Sequence, residues 1–258
     1  MPEIIEVEAA RRVLEARALG REITGVYAPD TWFLKRGTTP LTIGDALLSN
    51  RFTAARRRGK LILLDTEGPT IGVHLGMSGR VLVDDEEAGD PLIYASNRRV
   101  GAWHRFGVHF ADGGDFFLRD PRRLGAVEIE PDEARLGPDA LALSLEQLDR
   151  ALGARTAPVK AVLMDQARIA GLGNLLVDEA LWRSGIDPAR RAVDIPHDER
   201  RRLHRAIRDM LRVLIRRGGS HTGDMPREAD KPCPRDGAPL QRRKIGGRTT
   251  YSCPVHQR

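Results

Sequence analysis

The sequence predicts an α+β protein: antiparallel strands in a sandwich or barrel, opened by one N-terminal helix, then a helical region and a C-terminal hairpin. Three observations predict this order. Short β-branched and apolar runs separated by Gly, Asp and Pro turns fill the chain up to about Glu130. From about Pro131 the apolar spacing lengthens to three and four residues. The tail holds the chain's two cysteines, twenty residues apart, around a basic, glycine-containing stretch.

The first element is a helix from Glu3 to about Leu19. Val7, Ala10, Leu14 and Ala18 give it one buried stripe, and its early carboxylates complement the positive end of the helix dipole. The runs "KLILLD", "TIGVHL", "GRVLV", "RFGVHFADGGDFFL" and "GAVEIE" then read as strands. Beyond them "SLEQLDRALG", "PVKAVLMDQARI", "NLLVDEALWRSG" and "HDERRRLHRAIRDMLRVLIRRGG" read as helices, divided by turn chemistry at "AGLGN" and "GIDP". The last is the clearest, with Leu203, Ile207, Met210, Leu211 and Leu214 on one face and Gly218 and Gly219 ending it. These patterns divide the chain into residues 1–130, 131–225 and 226–258.

Composition narrows the function. The 258 residues include no run of eighteen apolar ones, and the charged start lacks the apolar core of a signal peptide. Two cysteines are too few for a secreted disulfide scaffold, so the expectation is a soluble chain in a reducing, intracellular compartment. The net charge of +6 is unevenly spread, with sixteen Lys and Arg against seven Asp and Glu in residues 196–258. A basic quarter on a near-neutral body suits a polyanion, most simply nucleic acid; the competing reading is a solvated arginine-rich helix.

Two motifs carry chemistry of their own. In "AGLGN", Asn174 stands where a helix begins after a glycine turn, placed to cap it beside free N–H groups that suit an anion. In the tail, Cys233, Asp236, Cys253 and His256 follow an x₂, x₁₆, x₂ spacing. Two turns each presenting two ligands suit tetrahedral zinc, although four cysteines would be the stronger pattern; a metal-free hairpin held by packing, or two unrelated thiols, are the competing readings.

These pieces converge on a family. "MPEIIEVE" resembles the "MPELPEVE" start of the formamidopyrimidine-DNA glycosylase and endonuclease VIII family of bacterial base-excision enzymes. The similarity continues in order through "RRRGK" ending at Lys60, "HLGMSGR" at 74–80, "RDPRRLG" at 119–125, "KAVLMDQARIAGLGN" at 160–174 and the tail with Arg248. The "PVKAVLMDQ…AGLGN" segment resembles the family's helix-two-turns-helix element. The resemblance implies a β-sandwich, a helix-two-turns-helix domain and a zinc-ribbon-like hairpin, with double-stranded DNA crossing a cleft between the halves. It also implies a monomeric enzyme of the bacterial cytoplasm and nucleoid.

Specific roles follow from the resemblance. After loss of Met1, Pro2 would be the nucleophile of a bifunctional glycosylase and AP lyase acting on oxidised bases or abasic sites. Glu3 would be the acid and base at the sugar, with Glu6 in support. Lys60, His74, Arg123, Asn174 and Arg248 would contact DNA, and Lys60 and Arg248 would also serve catalysis. Met77, Arg122 and Leu124 would wedge into the space left by the flipped nucleotide, and Cys233, Asp236, Cys253 and His256 would hold a structural zinc. Retention of Pro2, Glu3 and Lys60 together argues against a non-catalytic DNA-binding module. The chain departs from the pattern at Ile5, at Leu124, where members specific for oxidised guanine carry phenylalanine, at Asp236 and His256, where the ribbon has cysteines, and in the short "SHTGDMPREADKP" segment. That brevity, with Leu124, points to oxidised pyrimidines, hydantoin lesions and abasic sites over 8-oxoguanine opposite cytosine.

Overall fold

A computed structural model of the chain describes residues 2–89 and 96–258 and divides into two compact units, Met1–Glu133 and Ala134–Arg258. Met1, whose removal the sequence reading requires, lies outside the described residues. Among those residues no helix is long and apolar enough to cross a membrane.

The first unit opens with α1 (Ile4–Arg17), N-capped by Glu3. β1 (Ile23–Tyr27), α2 (Pro40–Leu47), β2 (Phe52–Arg58), β3 (Leu61–Thr66), β4 (Ile71–His74), β5 (Arg80–Val83), β6 (Glu86–Glu87), β7 (His104–Phe110), β8 (Asp115–Arg119) and β9 (Ala126–Ile129) follow. The strands form two antiparallel sheets, ordered β1-β7-β8-β5-β6 and β2-β3-β4-β9. One core joins them: Ile23, Val81, Phe106 and Phe116 from the first sheet pack with Phe52, Ile62, Ile71 and Val73 from the second and with Val7, Ala10 and Leu14 of α1. Phe116 meets both Phe52 and Phe106 edge to face, 6.3 and 6.2 Å between ring centres. Each buried Val, Leu, Ile or Phe among them contributes about 1.5–3 kcal/mol of transfer free energy. The sandwich is therefore as expected, and the predicted stripe of α1 is its helical side.

α2 is an addition to the single helix expected in this half. Thr39 caps it through a box with Thr42, Pro40 opens it, and Ile43 and Leu47 are buried. Proline at the first helical position was the available sign.

The second unit holds α3 (Leu145–Leu152), α4 (Val159–Met164), α5 (Asn174–Ser184), α6 (His197–Arg217) and a hairpin of β10 (Gln241–Ile245) and β11 (Arg248–Ser252). α6 buries the five predicted apolar residues and ends on Gly218 with φ 93°, a left-handed position that glycine adopts without strain. α4 stops earlier than the "PVKAVLMDQARI" pattern suggests. Asp165 turns extended and accepts from Ala167 N–H, and the Gln166 amide bonds the Met164 and Leu172 carbonyls at 2.8 and 2.9 Å. One side chain thus closes the two turns that lead into α5.

Candidate active site and nucleic-acid interface

The chain start is fixed by α1. Pro2 is buried directly ahead of Glu3, which is itself fully buried. Glu3 and Glu6 form a reciprocal capping box in which Glu3 N–H donates to Glu6 Oε2 at 2.8 Å. The helix is tied onward to the β2–β3 turn: Arg57 Nε donates to Glu8 at 3.0 Å, and Arg57 Nη1 donates to the Gly59 carbonyl at 3.0 Å. Burial works to raise the Glu8 pKa, but the Arg11 and Arg57 guanidiniums outweigh it and hold the carboxyl below its ordinary value. Lys60 follows Gly59, so the ion pair sets the turn that carries it relative to the first turns of α1.

Register brings His74 to the same end. Leu61 pairs with His74 across β3 and β4, and His74 pairs with Ala126 on β9. Dense protein around the His74 ring, and after it the charge of Lys60, lower the imidazole pKa, although one edge stays open to solvent. Its Nδ1 accepts from Gly76 N–H at 3.0 Å, so the neutral ring carries its proton on Nε2, a donor suited to a phosphate.

Two loops meet beside His74. A side chain at Gly76 (φ 59°) would strike the Leu124 backbone at 2.3 Å, and one at Gly125 would strike the His74 carbonyl at 2.7 Å, so both positions require glycine. The buried Asp120 carboxylate knits the loops together. It accepts from Ser78 Oγ on one and from the N–H groups of Arg122, Leu124 and Gly125 on the other, at 3.1, 2.8 and 2.8 Å. Met77, Arg122 and Leu124 stay exposed on this frame. Arg123, at φ 56°, is engaged instead by Asp30 through two 2.6 Å bonds, and its guanidinium is the main cause of the lowered Asp30 pKa.

In the second unit the expected cap by Asn174 is not formed. Gly173 is the N-cap without a side-chain bond, and Asn174, the first residue of α5, donates from Nδ2 to the Thr249 carbonyl at 3.1 Å. The glycine backbone ends the turn by itself, which frees the amide to reach the hairpin next to Arg248. A fully buried ion pair supports that junction. Lys160 Nζ lies 2.6 Å from Asp178 Oδ1, 2.7 Å from Thr250 Oγ1 and 3.2 Å from the Thr249 carbonyl. Arg227 supplies the second charge on Asp178, at 2.8 Å. Arg248 itself is exposed, just past Gly246 and Gly247 with φ 56° and 77°.

The tail residues converge as the spacing predicts. One ligand atom from each of Cys233, Asp236, Cys253 and His256 lies within 4.8 Å of the others. His256 Nε2 donates to the Trp182 carbonyl at 3.1 Å, which leaves the Nδ1 lone pair facing the group. Trp182 Nε1–H donates to Cys233 Sγ at 3.3 Å. The Ala238 N–H, 2.9 Å from Oδ1, leads the contacts that push the Asp236 carboxyl down to about 2, so it is an anion at neutral pH. Two sulfurs, one carboxylate and one correctly oriented imidazole fit a tetrahedral metal ion.

Residues 1–127 match the formamidopyrimidine-DNA glycosylase N-terminal domain, and residues 136–225 match the formamidopyrimidine-DNA glycosylase H2TH domain. The chain belongs to the formamidopyrimidine-DNA glycosylase family. Formamidopyrimidine-DNA glycosylases of Paracoccus denitrificans and Methylococcus capsulatus are 35% and 34% identical to it, each over the full length of both chains. The structure of the Lactococcus lactis enzyme bound non-covalently to DNA containing an AP site superposes with TM-score 0.85 at 26% identity, covering all of both chains. The same enzyme in complex with DNA containing an oxidised pyrimidine gives 0.83 at 26%. Family membership makes this chain a DNA glycosylase. Within the glycosylase fold, the first unit carries Pro2, Glu3 and Glu6 at the chain start, Lys60 in the β2–β3 turn, His74 at the end of β4 and Met77, Arg122 and Leu124 on two joined loops; in the second, Asn174 reaches the hairpin next to Arg248. Sequence reasoning assigned no role to Asp120, Lys160 or Asp178. The one sign of the last two was a charge placed among apolar residues in "PVKAV" and "NLLVDEALW".

Proposed function

We propose that the chain is a bifunctional DNA glycosylase and AP lyase that works through an N-terminal Schiff base. The observation that carries the reading is the fully buried Glu3 carboxylate, fixed by its capping box immediately behind a buried Pro2. While Met1 is attached the proline nitrogen is an amide and cannot attack. Once freed it is a secondary amine with pKa about 8, so roughly a tenth is neutral at pH 7, against under a thousandth of a lysine with pKa about 10.4. The nitrogen bonds to the sugar C1′, and the glycosidic bond breaks with its electron pair leaving on the base. Glu3 protonates the ring oxygen as the sugar opens. A secondary amine then gives an iminium, positive at every pH, which acidifies the C2′ carbon; a base takes the C2′ proton and the freed electron pair expels the 3′ phosphate, and a second elimination expels the 5′ phosphate. Lys60 is assigned the proton transfers of these eliminations.

In this reading Lys60, His74, Asn174 and Arg248 hold phosphates, which position the duplex without selecting its sequence. Met77, Arg122 and Leu124 occupy the stack vacated by the extruded nucleotide. Arg123 also meets a phosphate in this reading, from a guanidinium that Asp30 holds at 2.6 Å and that stays half exposed. The test is incision of a duplex with one abasic site. Two eliminations leave phosphate on both sides of the gap; a product ending in an intact sugar would mean hydrolysis in place of elimination, and binding without incision would favour the non-catalytic reading.

The tail group is read as a structural zinc site. Zinc would be held by Cys233, Asp236, Cys253 and His256 and would lock the hairpin that carries Arg248. Purified protein is expected to hold about one zinc per chain, and chelation to cost most of the DNA affinity, since structural sites supply folding free energy directly. Full activity in metal-free protein, with Cys253→Ser silent, would mean that packing alone holds the hairpin.

A further inference from the structure

The outward face of α6 carries charge that the site does not use. Arg201, Arg205, Arg208, Arg212 and Arg216 are all exposed. At about 100° per residue they fall in a sector of roughly 80°, opposite the buried stripe of Leu203, Ile207, Met210, Leu211 and Leu214. Among the described residues Arg201, Arg205, Arg212 and Arg216 have no carboxylate within 4.0 Å, and Arg208 has Asp209 only at 3.9 Å. Like charges three and four residues apart weaken a helix, so the stripe works against the element that bears it. Beside it a cavity of about 490 Å³ is lined by Arg183, Arg202, Arg205 and Arg235 together with Asp209 and Asp224, a net positive edge. α6 packs on α5 and α3, whereas the hairpin with Arg248 packs on α5.

We propose that this face of α6 is a second, sequence-independent DNA-backbone surface, which holds a duplex besides the one carrying the lesion. The stripe runs about 22 Å at 1.5 Å per residue, a length over which a duplex presents about thirteen negative charges. A protein partner fits the face less well, because interface centres are built on aromatic and aliphatic anchors and α6 exposes no large apolar side chain. The proposal rests on the chain binding DNA and not on the chemistry at Pro2. Its consequence is a protein able to stay on one DNA segment while sampling another.

The test uses the full chain saturated with a short duplex bearing a tetrahydrofuran abasic analogue. A labelled undamaged duplex is then titrated in, and ternary complexes are counted by sedimentation. Wild type is expected to take up the second duplex with a steep salt dependence. The Arg205→Gln/Arg208→Gln/Arg212→Gln variant is expected to lose at least about tenfold in that affinity, with a salt slope shallower by about three, one per phosphate contact. Its first-duplex affinity and melting temperature should stay at the wild-type values. The same second-duplex affinity in both proteins, no ternary complex with wild type, or displacement of the second duplex by polyglutamate at lower concentration than by unlabelled duplex overturns it. A ternary complex that forms in a protein unable to incise abasic DNA supports this surface and counts only against the Schiff-base reading.

Discussion

Glu3→Gln is expected to lower base excision by at least about 100-fold, the usual contribution of a positioned acid and base. The substitution keeps the shape and the acceptor oxygen that caps α1, so the helix should persist and the melting temperature should move little. What it removes is the proton that the sugar ring oxygen must receive. The partner variant Glu6→Gln, which keeps an acceptor for Glu3 N–H, should cost far less, because the role proposed for Glu6 is to orient the first turn through that bond. Single-turnover excision rates for both variants check this. Wild-type excision by Glu3→Gln would reduce Glu3 to a helix cap.

Asp178→Asn is expected to be the most destabilising conservative change in the second unit. It neutralises the carboxylate that faces the fully buried Lys160 ammonium at 2.6 Å and the Arg227 guanidinium at 2.8 Å. Removing one partner of a buried pair costs about 3–5 kcal/mol, because the remaining charge stays out of water. For a chain of this size that corresponds to a fall in melting temperature of roughly 10 °C. The same network holds the Thr249 carbonyl, which Asn174 also bonds, so DNA affinity should fall beyond what partial unfolding explains. Thermal unfolding followed by calorimetry, with DNA titrations well below the transition, reads both effects. A loss under about 1 kcal/mol would place the junction's strength in its apolar packing instead, since charge pairs of that worth behave as exposed ones.

The parts legible in the sequence are those whose physics is local. The stripe of α1 and the buried face of α6 show through as spacings of three and four, and Gly218 marks the end of α6 in the residue type alone. β2 does not show through: "FTAARRR" has little apolar alternation, and its strand form comes from pairing along β3. Lys160 and Thr250 lie 90 positions apart, and Asp120 gathers donors from a loop more than 40 positions away as well as from its own; no local pattern encodes such partners. Asn174 was legible as an important residue and not as to its partner, because a helix start looks alike whether its amide caps the helix or reaches a hairpin. The grouping of the four tail residues was legible because two turns with fixed spacing bring their own geometry.

The central claim is that the chain's own terminus is the nucleophile. Borohydride reduction in the presence of abasic-site DNA, followed by mass spectrometry of the cross-linked peptide, tests it most directly. The prediction is a mature protein that begins at Pro2, a cross-link in high yield, and the added mass of the reduced sugar on the Pro2 nitrogen, lost when Met1 is retained. A cross-link on Lys60 or another lysine, or none from a Pro2-terminated protein that binds the same DNA, would contradict it.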